Sequence, residues 1–412
     1  MKQFGLIGER LGHSHSPALH ALLADYRYDL WPLPPGELDA FLRGGRFDGL
    51  NVTIPYKRAV IPYLAEMSEA ARAIGSVNTI LRRADGTLYG DNTDACGLAA
   101  MAERAGMRFA GQKTVILGSG GTARTARHVA EAAGGRTVTI SRSGPDNYDN
   151  LERHADAAYL INTTPVGMWP QEDAAPVDLR RLPGLRGVAD AVYNPLRTRL
   201  IRQAQALGIP CAGGLCMLAR QAVRAAELFT GGAVDAERAA RAEEALRRRV
   251  PNLVLVGMPG SGKSTVGALA ARRLGMPLAD LDEEIAAEAG RSIPEIFAAE
   301  GEAGFRLREA GQVRRWTAEG GRVLVTGGGA VLDPLNRERL RMNGLVVWIT
   351  RPLERLSTDG RPLSRGAAAL EAMLRVRAPL YAEAADCTVP NEQTPDACAR
   401  AVEEAYHEAV CH

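Results

Sequence analysis

Residues 257–265, GMPGSGKST, have the spacing of a loop that binds the phosphates of a nucleoside triphosphate. The loop follows the apolar run NLVLV and precedes the helical pattern TVGALAARRL, which is the strand–loop–helix setting that such a loop requires. Backbone N–H groups would surround the β-phosphate, Lys263 would reach the β- and γ-oxygens, and Ser264 would hold Mg²⁺. The predicted ATP contacts in this loop are Gly260, Ser261, Gly262, Lys263, Ser264 and Thr265.

A second glycine-rich turn, GSGGTA at residues 118–123, also lies between an apolar strand and a helical pattern. Its three glycines would let the backbone approach a pyrophosphate at the N-terminus of the helix. The next strand, RTVTI, ends in Ser-Arg-Ser at residues 141–143, where NAD-binding proteins usually carry Asp or Glu. A cation and hydroxyls suit the 2′-phosphate of NADP; the alternative is that Arg142 is an ordinary exposed arginine.

Further polar residues lie in short motifs that are separated by apolar runs. They supply hydroxyls, amides, one ammonium and one carboxylate, which together suit a small polyhydroxylated acid. Taken singly, each is equally well explained as a helix cap, a turn or a loop residue. The set consists of Ser14, Ser16, Asn51, Thr53, Lys57, Asn78, Asn92, Asp94 and Gln221.

Lysine is rare in this chain, since it accounts for four of the 50 basic residues. Because arginine occupies most positions that need only a positive charge, a retained lysine suggests a need for a compact ammonium group. Lys57 lies within NVTIPYK and Lys263 within the phosphate-binding loop, so both are candidates for a chemical role.

Charged and glycine residues downstream of the phosphate-binding loop indicate the acceptor. Two arginines in one pocket fit a carboxylate, which a guanidinium can bind with two parallel hydrogen bonds. Asp282 could accept the proton of a hydroxyl group or orient that group, and Arg306 and Glu309 are spaced to share one helix face. The motifs are LADLDEE with Asp280 and Asp282, GFRLRE with Arg306 and Glu309, TGGGAV with Gly327, Gly328 and Gly329, DGRPLS with Arg361, and RVRAPLYAE with Arg377.

Short apolar strands alternate with helical patterns along the chain, which predicts an α/β protein with largely parallel sheets. The length of 412 residues allows two or three domains. A helical run at residues 234–252, rich in Ala, Arg and Glu, places a domain boundary near residue 248. The predicted strands are FGLIG, DGLNVTI, KTVILG, RTVTIS, AYLIN, RGVADAV, NLVLVG, RVLVTGG and LVVWIT.

The composition narrows the class of protein. A net charge of +2 gives no electrostatic reason to expect binding to nucleic acid or to an anionic membrane. No apolar run approaches the ~18 residues needed to span a bilayer, and the first residues lack the apolar segment of a secretory signal. The six cysteines have no metal-ligand spacing, so we expect reduced thiols in a cytoplasmic protein.

Eight motifs of the first part resemble those of shikimate dehydrogenases, in that family's order, over residues 1 to about 245. They are SxSP, NVTIPYK, VNT, GDNTD, GSGGTAR, NTTPVGM, DAVYNPLRT and GGLCMLARQA. The resemblance implies a two-lobed unit at residues 1–248. Its substrate lobe would comprise residues 1–93 and 214–248, and its Rossmann-type NADP lobe residues 94–213.

This resemblance implies that Lys57 and Asp94 form the catalytic pair. His15 stands where the family often has lysine, and we expect its side chain to point away from the substrate. The implied substrate-binding residues are Ser14, Ser16, Thr53, Asn78, Asp94, Tyr193 and Gln221. The implied NADP-binding residues are Gly118, Ser119, Gly120, Gly121, Thr122, Ala123, Ser141, Arg142, Ser143, Thr163, Met168 and Gly214.

The second part resembles shikimate kinases over residues 250 to about 410, which implies a P-loop kinase domain with a parallel sheet at residues 249–412. Asp280 would then help Ser264 to hold Mg²⁺, and Arg361 would come from a lid that closes over ATP. Lys263 and Asp282 would be catalytic, and Glu309 would brace an arginine of the acceptor pocket. The implied shikimate-binding residues are Asp282, Arg306, Gly328 and Arg377.

Together, the two resemblances predict a bifunctional enzyme of aromatic amino acid biosynthesis. It would reduce 3-dehydroshikimate to shikimate with NADPH, then phosphorylate shikimate to shikimate 3-phosphate with ATP and Mg²⁺. Each resemblance supports the other, because the product of the first reaction is the substrate of the second. Two alternatives are a quinate/shikimate dehydrogenase joined to another small-metabolite kinase, and a non-catalytic sensor of pathway metabolites. A sensor predicts lost catalytic residues, whereas this chain retains them.

Overall fold

The computed structural model describes residues 2–12, 14–318, 320–356 and 367–411. The chain divides into two compact units, residues 1–246 and 247–412. Strands and helices alternate in both units, so the predicted α/β class is confirmed. Within the described ranges, no helix combines the length and the apolar character needed to cross a membrane.

The first sheet of unit 1 has six strands in the order β2-β1-β3-β5-β6-β4. β1 pairs in parallel with β2 and β3, whereas β5 runs antiparallel to both β3 and β6. This sheet is therefore mixed, because β5 and β6 form a hairpin whose turn includes Gly86 with φ 82°. Its strands are β1 (Gln3–Gly8), β2 (Arg27–Pro32), β3 (Gly49–Val52), β4 (Glu66–Met67), β5 (Thr79–Arg82) and β6 (Leu88–Asp91), and its helices are α1 (Ser16–Leu23), α2 (Leu38–Gly44) and α3 (Glu69–Ile74).

The second sheet of unit 1 has five parallel strands in the order β11-β10-β9-β7-β8. The strand order reverses at β7, which lies between β8 and β9, and ligands of such sheets bind at the carboxyl ends of the strands beside this point. The strands are β7 (Lys113–Leu117), β8 (Arg136–Ile140), β9 (Tyr159–Asn162), β10 (Gly187–Asp190) and β11 (Cys211–Gly213). The helices are α4 (Asp94–Arg104), α5 (Gly121–Ala132), α6 (Arg199–Ala206), α7 (Leu215–Thr230) and α8 (Ala236–Arg249).

Two helices carry the chain between the sheets of unit 1. α4 begins three residues after β6 and leads to the second sheet, and α7 follows β11 and returns to the first. The two helices pack against each other, and α1 packs against α7. Residues at the starts of α4 and α7 therefore lie near both sheets, which is where a site that needs groups from both could form.

Unit 2 contains a five-stranded parallel sheet in the order β13-β14-β12-β15-β16. The central strand β12 is buried along its whole length, as its apolar run predicts. The strands are β12 (Asn252–Val256), β13 (Leu278–Asp280), β14 (Val323–Val325), β15 (Gly344–Thr350) and β16 (Cys387–Pro390). The helices are α9 (Lys263–Leu274), α10 (Leu281–Ala289), α11 (Ile293–Thr317), α12 (Pro334–Met342), α13 (Ala367–Ala384) and α14 (Pro395–Cys411).

Candidate active sites

Lys57 and Asp94 form an ion pair at one end of α4, with 2.6 Å between Lys57 Nζ and Asp94 Oδ2. Lys57 comes from the loop after β3, and Asp94 is the first residue of α4, where the helix dipole favours a carboxylate. The Lys57 side chain is 29 % exposed and that of Asp94 only 8 %. The pair thus presents its cation toward solvent and keeps its anion inside the protein.

Asn78 connects this ion pair to the surrounding elements. Its amide nitrogen donates to Asp94 Oδ1 at 2.8 Å and to Gln221 Oε1 of α7 at 3.5 Å. Its amide oxygen accepts from the backbone N–H of Thr93 at 2.7 Å. Because Asn78 is buried and bonded on both sides, the side chain has one orientation that satisfies all these groups. Thr93 was not singled out from the sequence, although it lies inside the GDNTD motif.

A cavity of about 390 Å³ opens beside Lys57. It brings together residues from β3, α1, α7 and the loop after β10, which are far apart in sequence. The polar content suits a small acid with several hydroxyl groups, as the sequence predicted. The predicted catalytic Lys57 lines the cavity, and Asp94 lies behind it. The predicted substrate-binding residues that line the cavity are Ser14, Ser16, Thr53, Asn78, Tyr193 and Gln221.

Two histidines also line this cavity, and one of them corrects a prediction. His15 was expected to point away, yet it lines the cavity, with its ring centroid 6.4 Å from that of Tyr193. His15 directly precedes α1 and already has helical φ and ψ. In an extended segment, neighbouring side chains point to opposite sides, but this rule does not apply to a residue with helical backbone angles.

His20 was missed, although it follows Ser16 by four residues and so shares one face of α1. Burial lowers the pKa of His20 to about 3, so its imidazole is neutral near pH 7. Its ring stacks on Tyr28 with 4.0 Å between centroids, and its Nδ1 is 2.5 Å from the hydroxyl of Tyr26. His20 therefore forms an uncharged part of the cavity wall and would not donate a proton from a charged imidazolium.

The predicted NADP-binding residues gather at the carboxyl edge of the second sheet. The loops at 118–123, 141–143 and 163–168 follow β7, β8 and β9, which are neighbours in that sheet. Gly118 has φ 102°, and a Cβ there would lie 2.9 Å from Thr163 Oγ1, so only glycine fits this turn. The turn leads into the 12-residue helix α5, whose N-terminus favours an anion. Arg142 and Ser143 are exposed beside it.

Gly214 lies apart from these three loops, at the residue that caps the N-terminus of α7. Its N–H donates to Val192 O at 3.1 Å, and a Cβ at this position would collide with the carbonyl oxygen of Ala191. Close backbone packing therefore explains why this position is glycine, and the NADP contact of Gly214 stays a prediction.

In unit 2, the loop between β12 and α9 has the backbone that its glycines predict. Gly257, Gly260 and Gly262 have φ of 147°, 83° and 91°. Lys263 is buried, and its ammonium donates to the carbonyl oxygens of Gly257 and Met258, both at 2.9 Å. The ammonium is thus held on the inner side of the loop, where it would meet phosphate oxygens.

Asn391, which follows β16, braces the same loop and was not predicted. Its amide nitrogen donates to the carbonyl oxygen of Ser261 at 2.8 Å, and its own N–H donates to Thr350 O at 2.8 Å. Asn391 is buried, and a Cβ on Gly262 would collide with its amide. The contact links residues 130 positions apart, so no local pattern could have identified it.

Ser264 and Asp280 provide a fitting pair of oxygen ligands for Mg²⁺. The Ser264 hydroxyl donates to Asp280 Oδ2 at 2.7 Å, and the other carboxylate oxygen accepts from Asp282 N at 3.1 Å. Mg²⁺ prefers hard oxygen ligands and is often held by one or two protein groups together with phosphates and waters. In the described ranges there is no group of three or more His, Cys, Asp or Glu side chains that could hold a metal ion by itself.

The acceptor residues of unit 2 surround the glycine loop after β14. Arg306 Nη1 donates to Glu309 Oε2 at 2.7 Å within α11, and burial raises the pKa of Glu309. A Cβ on Gly327 would lie 2.6 Å from Asp282 Oδ1 and 2.8 Å from Glu309 Oε1. Asp282, Arg306 and Glu309 therefore converge on one loop.

Two residues of α13 complete this group. Arg377 is buried, and Tyr381, one turn later, donates its hydroxyl to Gly328 O at 2.5 Å. Burial raises the pKa of Tyr381 to about 12, so the hydroxyl keeps its proton. Tyr381 was missed because it lies in RAPLY as an ordinary aromatic residue. Arg361 and the proposed lid at 357–366 lie outside the described residues.

Comparisons with known proteins divide the chain in the same order as its motifs. Residues 6–80 match the family model of the shikimate dehydrogenase substrate binding domain, and residues 259–407 match that of shikimate kinase. The shikimate dehydrogenase (NADP(+)) of Clostridium perfringens (strain ATCC 13124) is 37 % identical over 257 residues, covering 57 % of this chain and 94 % of the relative.

Two crystal structures resemble the first part. A chorismate mutase/shikimate 5-dehydrogenase fusion protein from Clostridium acetobutylicum has a TM-score of 0.56 and 32 % identity, over 60 % of this chain and 97 % of its own. Shikimate 5-dehydrogenase from Thermus thermophilus, in complex with NADP(H) and shikimate, has a TM-score of 0.53 and 32 % identity, over 60 % of this chain and all (100 %) of its own.

Proposed function

The chain belongs to the shikimate dehydrogenase family, and we propose that it is a bifunctional enzyme that makes shikimate and then phosphorylates it. Unit 1 reduces 3-dehydroshikimate with NADPH, and unit 2, whose residues 259–407 match the shikimate kinase model, transfers the γ-phosphoryl group of ATP to the 3-hydroxyl of shikimate. The observation that carries the proposal is the Lys57–Asp94 ion pair, 2.6 Å long, beside a cavity lined by hydroxyl and amide groups.

NADPH supplies the hydride for the first reaction, and the chain binds and polarises the ketone. When hydride reaches the carbonyl carbon, negative charge develops on the carbonyl oxygen. The Lys57 ammonium stabilises this oxygen and donates the proton that completes the alcohol. Asp94 holds the ammonium in place through its Oδ2, and its buried position keeps it from solvent.

The other cavity residues orient the substrate. The hydroxyls of Ser14 and Ser16, which flank the start of α1, suit the carboxylate of the acid. Asn78 and Gln221 present amides to the ring hydroxyls, and their mutual hydrogen bond of 3.5 Å keeps the two side chains together. Thr53 and Tyr193 lie on the remaining walls of the cavity.

The glycine turn at 118–123 and the N-terminus of α5 would hold the pyrophosphate of NADPH. Arg142, exposed at the end of β8 and flanked by two serines, would bind the 2′-phosphate that distinguishes NADP from NAD. Thr163 and Met168 follow β9, which lies between β7 and β10 in the sheet, and the loop after β10 carries Tyr193 of the substrate cavity, so they would border the nicotinamide.

In unit 2, catalysis rests on positioning and on positive charge around the phosphoryl group. The Lys263 ammonium is held inside the phosphate loop and would neutralise charge on the β- and γ-oxygens. Asp282 orients the acceptor hydroxyl and takes its proton. Arg306, fixed by its ion pair with Glu309, and Arg377 would bind the carboxylate of shikimate.

Mg²⁺, when bound, neutralises charge on the triphosphate and orients it. Ser264 and Asp280 are the groups that would hold the ion, since their oxygens lie 2.7 Å apart at the start of α9. Arg361 remains a proposed ATP contact by its place in DGRPLS.

One incubation tests both activities. Pure protein receives 3-dehydroshikimate, NADPH, ATP and Mg²⁺, and we expect NADPH loss together with formation of shikimate 3-phosphate. NADPH loss without the phosphate ester would refute the kinase half, and an unchanged NADPH signal would refute the reductase half. Parallel reactions with quinate and NADP, and with other hydroxy acids and ATP, separate the proposal from a quinate/shikimate dehydrogenase joined to a different kinase.

A further inference from the structure

Asn162 and Asp190 form a polar pair inside the second sheet of unit 1. Asn162 ends β9 and Asp190 ends β10, and the two residues are register partners in these parallel strands. Both have 0 % relative exposure, and Asn162 Nδ2 donates to Asp190 Oδ1 at 2.9 Å. Neither residue lines the substrate cavity, so any effect on the reaction has to pass through other residues.

Asn162 holds the loop on the cofactor side. Its Oδ1 accepts from the backbone N–H of Thr164 at 3.0 Å and from the Thr164 hydroxyl at 2.7 Å. The Thr164 hydroxyl oxygen in turn accepts from Val166 N at 3.3 Å. These bonds fix the first half of the loop at 163–168, which contains the proposed nicotinamide contacts Thr163 and Met168.

Asp190 holds the loop on the substrate side. Its Oδ1 also accepts from Val192 N at 3.0 Å, and its Oδ2 accepts from the Thr198 hydroxyl at 2.7 Å. Thr198 caps α6, since its hydroxyl oxygen accepts from Ile201 N at 3.3 Å. Both ends of the loop at 191–198 are thus bonded to one carboxylate, and between them lies Tyr193, which lines the cavity.

The same loop is also tied to the helix that carries Gln221. The carbonyl oxygen of Val192 accepts from Gly214 N, directly before α7, at 3.1 Å. A displacement of the 191–198 loop would therefore move Tyr193 and the start of α7.

Burial of the Asp190 carboxylate costs free energy when the group is ionised, and it raises the pKa of Asp190 to about 6. An apolar pair at the ends of two buried strands would avoid that cost, but it would leave the loop groups of Thr164, Val192 and Thr198 without their partners. The pair is thus better explained by the loops it orders than by sheet stability.

We propose that Asn162 and Asp190 are a positioning pair of the dehydrogenase site, which sets the cofactor-side loop 163–168 and the substrate-side loop 191–198 relative to each other. This inference rests on the proposed function of unit 1. It predicts that a change to the pair disturbs the binding of both cofactor and substrate. A change in only one of the two loops should disturb mainly the ligand on that side.

The test compares one variant of the pair with one variant in each of the two loops. Asn162→Leu keeps the side-chain size and removes every hydrogen bond, and we expect KM for both NADPH and 3-dehydroshikimate to rise about tenfold, with a lower kcat. Thr164→Val removes the cofactor-side hydroxyl and should raise mainly KM for NADPH. Thr198→Val removes the substrate-side hydroxyl and should raise mainly KM for 3-dehydroshikimate.

A double-mutant cycle then measures the coupling. In the wild-type background, the combined effect of the two threonine changes on kcat/KM should differ from the product of the single effects by a factor of about three or more. With Asn162→Leu also present, the two effects should multiply independently. Independent effects in the wild-type background, or an Asn162→Leu variant that alters only one KM, would overturn the inference.

Two further measurements keep the result interpretable. The kinase rate of unit 2 should be the same in every variant, which gives equal concentrations of enzyme, and thermal unfolding reports whether unit 1 is folded. If Asn162→Leu fails to fold, the threonine cycle decides alone. NADPH binding by titration calorimetry reports on the cofactor-side loop without turnover. A wild-type protein that binds NADPH but reduces no 3-dehydroshikimate would refute the proposed function, while the binding and thermal-unfolding cycle of the threonine variants still tests the pair.

Discussion

Replacing Lys57 with methionine should slow the reductase reaction strongly without unfolding unit 1. Lys57→Met keeps the length of the side chain and removes the ammonium that lies 2.6 Å from Asp94 Oδ2. Loss of one charge-assisted hydrogen bond to the developing alkoxide costs about 1.5–3 kcal/mol, and loss of the proton donor adds to this. We expect kcat to fall about 10³-fold, with KM for 3-dehydroshikimate changed by less than about tenfold.

The structural cost of the same change should be small. Asp94 retains its hydrogen bond from Asn78 at 2.8 Å. The Lys57 side chain is 29 % exposed, so the ion pair is partly screened by solvent. We therefore expect a loss of about 1 kcal/mol in the free energy of unfolding, which lowers Tm by about 2–4 °C.

Lys113 offers a matched control in the same unit. Its ammonium pairs with Asp156 Oδ1 at 2.5 Å, away from the cavity, and the Asp156 side chain is 69 % exposed. Lys113→Met should leave the rate of NADPH loss unchanged and have little effect on the stability of unit 1, because the Lys113–Asp156 pair is screened by solvent. If Lys57→Met keeps kcat within about threefold of the wild type, the assigned role of Lys57 is wrong. The same holds if Lys113→Met loses as much activity.

Three further changes test the other unit and the buried carboxylate. Lys263→Met should lower the rate of phosphoryl transfer by about 10³-fold while NADPH oxidation continues at the wild-type rate, and equal loss of both would contradict separate sites. Glu309→Gln removes the 2.7 Å ion pair of Arg306, so KM for shikimate should rise about tenfold in a kinase assay, with KM for ATP as the internal reference. The pKa of Asp190, about 6, lies above its unfolded value of about 3.9, so the folded protein binds more protons between these values and its stability falls as the pH rises through them. Relative to Asp190→Asn, the free energy of unfolding of the wild type, measured with denaturant, should therefore fall by roughly 2–3 kcal/mol between about pH 4 and pH 7. If the difference between the two proteins does not change with pH, the carboxylate is not desolvated.

Local patterns were sufficient for much of the fold. The nine predicted strands are all present, and the helix expected at 234–252 is α8 (Ala236–Arg249). Continuous apolar runs identify strands such as β12 because a parallel strand is covered on both faces. The strands missing from the prediction are β2, β4, β5, β6, β11, β13 and β16, which are short and mostly contain charged, polar or glycine residues. Their pairing partners, and with them the mixed character of the first sheet, are set by contacts distant in sequence.

In the active sites, too, local patterns identified some features and contacts distant in sequence set the others. The phosphate-binding loop could be recognised because its glycines, lysine and serine act through neighbouring backbone groups. Lys57 and Asp94 could be selected as types of residue, but their 2.6 Å contact depends on how β3 and α4 are brought together. His15 shows the limit of local reasoning, since the start of α1 places it at the cavity that it was expected to face away from.

The chemical groups that are present, and the short loops that can bind phosphate, follow from the amino-acid order alone, because these properties depend on residues a few positions apart. Which groups meet depends on the fold. Asn78 joins Asp94 and Gln221 across 143 positions of the chain, and Asn391 reaches Ser261 across 130. Asn162 and Asp190 become partners through the register of β9 and β10. Such contacts arise from strand pairing and helix packing, and a buried polar side chain then takes the one orientation in which its hydrogen bonds are satisfied.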